Sequence, residues 1–175
     1  MNKNTPNPGR PSGRDLGGNN GRTLAPGTRA PDFDLPDDAG GRVSLASFKG
    51  KALVLYFYPK DDTPGCTKEA IAFSGLRDEF SKAGAAILGV SADPAASHAR
   101  FKAKHHLELA LASDESKSML EAYGVWAEKS MYGRKYMGIE RTTLLIGKDG
   151  KIAAAWNKVK VPGHAEAVLA AVRAL

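Results

Sequence analysis

The sequence predicts an α/β domain built on a central mixed β-sheet with helices on both faces. Three observations carry that expectation. Two strand-length apolar runs, Ala52 to Tyr58 and Ala85 to Val90, bracket a segment from Pro64 to Ala83 with helical periodicity. A hairpin pattern follows late in the chain, Thr142 to Ile146 and Lys151 to Trp156 around a Lys148-Asp-Gly150 turn. An amphipathic helix runs from Gly163 to about Ala174. A βαβ unit followed by a hairpin puts parallel and antiparallel pairs into one sheet, and the helices then cover both of its sides.

Each element has a local reason. Ala30-Pro-Asp-Phe-Asp-Leu-Pro36 is held extended by its prolines. Gly40-Gly41 turns the chain into a short strand from Arg42 to Leu45. The run Ala52 to Tyr58 is continuously apolar and aromatic, the pattern of a central strand covered on both faces. In the segment after it, Cys66, Ala70, Phe73, Arg77 and Phe80 recur at spacings of three and four, and Gly84 ends the helix. Beyond the second buried strand, Ser91-Ala-Asp-Pro94 leads into a helix from about Ala95 to His105. Leu107 to Ala112 reads as a strand near an edge, and Ser116 to Tyr123 as a short helix closed by Gly124. No internal repeat is present.

A chain of 175 residues holds one well-buried core and is too short for two ordinary domains. We expect a domain over residues 26–175 preceded by a disordered basic tail over 1–25. Met1 to Gly21 is rich in Asn, Gly, Pro and Arg, without the hydrophobic stretch of a secretory signal or the amphipathic pattern of a transit peptide. No apolar run approaches a membrane span, so the expectation is a soluble cytoplasmic protein. The net charge is +6, but its distribution argues against specific nucleic-acid binding. The first 25 residues carry four basic residues and one acidic, and in the rest of the chain the two signs are nearly balanced and interspersed. No basic stripe with aromatic interleaving stands out.

The one cysteine, Cys66, excludes an internal disulfide. Free cysteines are most often small buried apolar residues. Here the surroundings favour chemistry at sulfur. Thr63 suits a helix N-cap, Pro64 the first helical position, and Cys66 falls in the first turn, where backbone N–H groups and the helix dipole favour a thiolate. Gly65 leaves the backbone open to close approach by a small ligand. The Thr63 hydroxyl, three residues back, is within reach of the sulfur.

These residues extend to a family resemblance. Pro59, Thr63 and Cys66, in the order Pro59-x-x-x-Thr63-x-x-Cys66, resemble the active-site signature of the peroxiredoxins. Ala30-Pro-Asp-Phe33, Asp62-Thr-Pro-Gly-Cys-Thr67 and Tyr132-Gly-Arg-Lys-Tyr-Met-Gly-Ile-Glu-Arg-Thr-Thr143 are similar to the bacterioferritin-comigratory or PrxQ subgroup. The similarity runs from about Ala30 to the C-terminus. It implies a thioredoxin-like fold and a thiol peroxidase that reduces hydrogen peroxide and organic hydroperoxides without a cofactor. It further implies that Cys66 is the attacking sulfur, that Thr63 holds thiolate and peroxide, that Pro59 shields the sulfur from water, and that Arg141 stabilises charge on sulfur and oxygen. Thr63, Gly65, Cys66 and Arg141 would then bind the peroxide. Taken alone, an arginine before a strand is most often a solvated flank. Glu69 resembles a position that orients Arg141.

A low thiol pKa alone makes no peroxidase. Moving a thiol from about 8.5 to about 6 raises its ionised fraction at pH 7 roughly thirtyfold. The weaker nucleophilicity of the less basic sulfur takes back about tenfold. The larger contribution must come from donors aimed at the departing oxygen.

Attack leaves a sulfenic acid that a second thiol must resolve. Many relatives carry a resolving cysteine five residues on, where this chain has Ile71, and others carry it near Phe101-Lys-Ala103, where there is none. The second thiol must therefore come from thioredoxin, glutaredoxin or a low-molecular-weight thiol. Members of the subgroup are often monomers, which is the expectation here.

Other residues are assigned plainer roles. Asp61 and Asp62 read as exposed loop-capping carboxylates. His98, His105, His106 and His164 have no cysteine or carboxylate partners at ligand spacing, so no metal site is expected. Trp126, Tyr132 and Tyr136 read as packing or substrate-loop residues. Two competing readings stay open. A thioredoxin-like disulfide reductase has against it Thr63, standing where a second thiol would be needed. A binding module would have a structural Cys66.

Overall fold

The computed structural model describes residues 24–175. Five strands form the central sheet: β3 (Ala52–Phe57), β4 (Ala85–Ser91), β5 (Ala110–Ser113), β8 (Thr142–Ile146) and β9 (Ile152–Trp156). Their spatial order is β5-β4-β3-β8-β9. The βαβ connection makes β3 and β4 parallel, and β4 and β5 are parallel as well. On the other side β8 runs antiparallel to both β3 and β9. The sheet is therefore mixed, as the two apolar runs and the late hairpin require. The segment read as an edge strand, Leu107 to Ala112, narrows to Ala110–Ser113 and does lie at an edge.

All six residues of β3 are buried, and their alternation divides the interior in two. Val54 and Tyr56 point into a cluster with Phe73, Phe80, Phe101, Val168 and Leu169. These come from α1 (Pro64–Gly75), α2 (Arg77–Lys82), α3 (Ala95–His105) and α5 (His164–Arg173). Leu53, Leu55 and Phe57 point the other way, against Phe33, Leu35, Met119 and Leu120. That side is closed by α4 (Ser118–Ala122) and by the small antiparallel pair β1 (Asp34–Pro36) and β2 (Arg42–Ser44). The extended Ala30–Pro36 entry thus becomes partly a strand.

Two expectations are corrected. The single helix over 64–83 is two, α1 and α2, separated at Leu76, whose φ of −103° and ψ of 7° leave the helical range. Gly75 gives the last turn little helical preference, and the Leu76 amide bonds tightly back to the Phe73 and Ser74 carbonyls. The second correction is an added hairpin, β6 (Trp126–Met131) and β7 (Arg134–Ile139), in a segment read only as packing or loop residues. Its turn is Tyr132-Gly133, with φ of 52° and 80°. Positive φ at both centres marks a tight hairpin turn, for which Asn-Gly is the usual signal and a tyrosine is not. Tyr132 is 97% exposed at its tip.

Of the expected tail, residues 1–23 lie outside the described residues. Leu24 packs against the second cluster, and the Gly27 amide bonds to the Ile152 carbonyl. Among the described residues no helix is long and apolar enough to cross a membrane.

Candidate active site

The loop between β3 and α1 carries Pro59, Asp61, Asp62 and Thr63, and a buried network fixes its shape. Tyr58 donates its hydroxyl to Asp61 Oδ1 at 2.6 Å, Ser97 donates to Oδ2 at 2.7 Å, and His98 Nδ1 lies 2.7 Å from Oδ2. The Asp61 amide in turn donates to Asp93 Oδ2 at 2.8 Å. Burial raises the Asp61 carboxyl, but the bonds from His98, Tyr58 and Ser97 outweigh it and hold the group below the usual carboxylate range. Asp61 is thus a buried anchor, contrary to the exposed role expected for it. The reason is long-range: its partners Ser97 and His98 sit on α3, almost forty residues away.

Asp62 is exposed, as expected, and is held by Lys104 at 2.7 Å and His105 at 2.8 Å. Two of the four histidines, His98 and His105, therefore do have carboxylate partners. Asp61, Asp93 and His98 offer ligand-type atoms within 4.8 Å of one another. Asp61 Oδ2 faces His98 directly, and Asp93 Oδ2 is taken up by an amide and the Ser91 hydroxyl. Hydrogen bonds within the protein account for the grouping.

Past this anchored loop the chain enters α1. Thr63 occupies the N-cap with extended backbone, and its carbonyl accepts from the Thr67 amide at 2.8 Å. Its hydroxyl does not cap the helix; it donates to the Lys60 carbonyl at 2.8 Å. The expected reach of that hydroxyl to sulfur is therefore not made, although its lone pairs stay available as acceptors. Pro64 fills the first helical position, so the first-turn amides of Gly65 and Cys66 have no carbonyl to bond within the helix. Cys66 is 2% exposed. Pro59, two residues past β3, is half-buried.

Arg141 comes from the far end of the sequence, just ahead of β8. Because β8 pairs with β3, with Thr142 opposite Phe57, Arg141 arrives beside the loop and first helical turn that carry Cys66. Its Nη2 donates to Cys66 Sγ at 3.4 Å, and its Nη1 donates to Glu69 Oε1 at 2.6 Å. Glu69 is one turn beyond Cys66 on α1 and is 1% exposed. Burial pushes its carboxyl up to about 7 in spite of Arg141. Burial works against the charge on Arg141 too, but Glu69 and Cys66 hold its pKa above the ordinary value. Gly65 completes the fit. A Cβ there would stand 3.2 Å from Arg141 Nη2, tighter than ordinary contact, so the glycine gives the guanidinium room over the helix end.

The structure thus brings Cys66, Gly65, Glu69 and Arg141 together, with Thr63 at the mouth of the helix and Pro59 at the start of the loop. Sequence reasoning missed the buried Asp61 network. A usable signal was present in Tyr58 and Asp61 flanking a sharp loop, but their α3 partners could not be paired from spacing.

Comparison with known proteins then identifies the family. The AhpC/TSA family matches residues 26–155. The chain belongs to that family. It is 51% identical over 143 residues to a putative peroxiredoxin bcp of Coxiella burnetii, covering 82% of this chain and 95% of the relative. It is 47% identical over 142 residues to peroxiredoxin Bcp of Bacillus subtilis, covering 81% and 90%. Peroxiredoxin Q of Xanthomonas campestris superposes with a TM-score of 0.80 at 46% identity, over 85% of this chain and 97% of that one. Among AhpC/TSA proteins the chain is therefore a peroxiredoxin of the Bcp/PrxQ group, with the thioredoxin-like fold that the resemblance implied.

His164, at the start of α5, shares a 2.8 Å hydrogen bond with the Thr143 hydroxyl and meets Phe73 and Trp156 edge-on. Burial first, and the charge of Arg141 second, lower its pKa to about 4. It is therefore neutral at pH 7 and adds no charge to the site. Between about 6.5 and 4 the unfolded chain takes up a proton that the folded chain refuses, so stability falls as pH drops through that window. We expect His164→Gln to remove roughly 1–3 kcal/mol of the stability lost on acidification from pH 7 to 4.5. Urea unfolding of both proteins at the two pH values measures this. An unchanged acid-dependent loss in the variant would rule the explanation out.

Proposed function

We propose that this protein is a one-cysteine thiol peroxidase in which Cys66 reduces hydrogen peroxide and alkyl hydroperoxides under the control of Arg141. One observation carries the reading: at the open first turn of α1, the sole thiol of the chain accepts a hydrogen bond from a guanidinium that a buried carboxyl group holds in place. A structure of the Xanthomonas campestris bacterioferritin comigratory protein, whose description names alkyl peroxide reduction, superposes with a TM-score of 0.80 at 45% identity and supports it.

In this mechanism the Cys66 thiolate attacks one oxygen of the peroxide. A sulfur–oxygen bond forms, the O–O bond breaks, and its electron pair leaves on the second oxygen, which takes a proton to become water or an alcohol. Sulfur is oxidised by two electrons to the sulfenic acid. Arg141 and the amides of Gly65 and Cys66 are the donors for the charge that moves from sulfur to the departing oxygen. The Thr63 hydroxyl, by turning from the Lys60 carbonyl or by accepting through its lone pairs, positions the peroxide, and Pro59 walls the sulfur from bulk water. An external thiol then condenses with the sulfenic acid, releasing water, and a second thiol reduces the resulting mixed disulfide. Ile71, 49% exposed where many relatives carry a resolving cysteine, leaves no thiol on this chain to do so. The reductant (thioredoxin in the first instance, otherwise glutaredoxin or a small thiol), a cytoplasmic setting and a monomeric state belong to this same proposal.

Stopped-flow mixing with hydrogen peroxide tests it. One equivalent should convert Cys66 to a sulfenic acid that a dimedone-type probe captures, and thioredoxin with its reductase should restore the thiol. A reduced protein whose thiol persists through excess peroxide would end the proposal.

A further inference from the structure

The peptide that joins Lys60 to Asp61 is bonded on both of its edges. On one side its N–H donates to Asp93 Oδ2 at 2.8 Å. On the other its carbonyl accepts from the Thr63 hydroxyl at 2.8 Å. The two polar groups of a planar peptide move together, so whatever holds the amide also aims the carbonyl. Asp93 is itself held. Its Oδ2 accepts a second hydrogen bond, from the Ser91 hydroxyl at 2.7 Å, and its own amide donates back to that hydroxyl at 3.1 Å. Its carbonyl accepts from the Ser113 hydroxyl. Ser91 closes β4 and Ser113 closes β5, so the carboxylate that receives the loop rests on the ends of two adjacent strands.

The next two side chains keep this peptide from turning over. Asp61 is locked by Tyr58, Ser97 and His98. Asp62, at a φ of 59°, ties its carboxylate to Lys104 and His105. A left-handed residue other than glycine is uncommon and persists where its surroundings hold it there. The consequence falls on Thr63. A hydroxyl has one hydrogen and two lone pairs, and here the hydrogen is committed to the Lys60 carbonyl. What Thr63 can still offer a peroxide, one helical turn from Cys66, is an acceptor.

We propose that Asp93 is a positioning residue for peroxide reduction: by fixing the Lys60–Asp61 peptide it holds the Thr63 hydroxyl as an acceptor for the O–H of the incoming hydroperoxide. This rests on the thiol-peroxidase reading, in which Thr63 positions the peroxide at Cys66. Asp93 acts through that peptide, and its influence on the reaction passes through Thr63 alone.

Two reactions of the same sulfur separate positioning from a general loosening of the site. Oxidation by hydrogen peroxide calls on Thr63, whereas alkylation by iodoacetamide needs only an accessible thiolate. Single-turnover rates with each reagent are measured for the wild type, Asp93→Ala, Asp93→Asn, Thr63→Val and the double variant Asp93→Ala/Thr63→Val. Asp93→Ala should be oxidised about tenfold more slowly, with its alkylation rate within about twofold of the wild type. Asp93→Asn keeps an oxygen able to accept both bonds and should recover most of the rate. In the Thr63→Val background Asp93→Ala should bring no further loss, since the hydroxyl it aims is gone. Ser91→Ala withdraws the hydroxyl that steadies Asp93 Oδ2; it should show the same selective loss at smaller size, and it decides the matter if Asp93→Ala does not fold. An unchanged oxidation rate in these variants, an equal loss in both reactions, or full additivity with Thr63→Val overturns the proposal while leaving the peroxidase reading intact. A wild type inert toward hydrogen peroxide overturns both.

Discussion

Cys66→Ser should remove peroxide consumption altogether, with the rate falling by at least about a thousandfold to the uncatalysed background. The serine hydroxyl stays protonated at neutral pH, and a neutral oxygen does not displace alkoxide from a peroxide. Nothing in the chain can substitute, since Cys66 is its only thiol. The fold should tolerate the change. The side chain is 2% exposed and nearly the same size as serine, and Arg141 Nη2, now 3.4 Å from the sulfur, can donate to a hydroxyl in its place. Peroxide decay followed with a thioredoxin-coupled assay measures the activity, and urea unfolding checks that stability moves by no more than about 1 kcal/mol. Full turnover by the serine variant would mean that the chemistry lies elsewhere in the molecule.

The fold was legible where burial is written into a continuous run of residues. Ala52 to Tyr58 and Ala85 to Val90 are apolar throughout because a central strand is covered on both faces, and no other element of this length reads that way. The β6–β7 hairpin was not legible. Its strands carry Glu, Lys, Ser and Arg on a mostly exposed ribbon, and Tyr132 replaces the asparagine that would have announced the turn. The break at Leu76 was hidden for another reason: the apolar spacing of Phe73 and Phe80 continues across it, so periodicity sees one helix where the backbone makes two.

The site divides along the same line. Cys66, Thr63, Pro59 and Gly65 sit within eight residues of one another, so their association needs only a strand, a loop and a helix start. Arg141 is 75 residues from Cys66, and its nearness depends on β8 pairing with β3, a relation that sequence spacing alone does not reveal. Family resemblance supplied it. Asp61 and His98 are joined by tertiary packing of the same kind, and the local signal in Tyr58 and Asp61 did not reveal the partners on α3 that bury Asp61 and leave Asp62 exposed.

Arg141→Met should slow oxidation of Cys66 by about 10²–10³-fold, the loss expected when one preorganised donor is removed from a buried site where charge develops. Methionine keeps an unbranched apolar stem but takes away both the bond to sulfur and the bond to Glu69. The consequence for Glu69 decides whether the protein still folds. Its pKa already stands at about 7, above the ordinary 4.5, because burial outweighs the attraction of Arg141. The unfolded chain therefore releases this proton at lower pH than the folded chain, and stability in the wild type declines as pH rises through the window from 4.5 to 7. Without the arginine the carboxyl moves higher still and is neutral at pH 7. A neutral acid in that position costs far less than a stranded carboxylate, so the thermal midpoint should fall by no more than about 5 °C. Arg141→Lys serves as the companion: it restores a cation but not the two-pronged grip on Cys66 and Glu69, and should recover only part of the rate. Stopped-flow oxidation at pH 6, 7 and 8 with thermal unfolding of the same samples reads both effects. An oxidation rate in Arg141→Met within about threefold of the wild type would show that the backbone amides of Gly65 and Cys66 suffice to stabilise the departing oxygen.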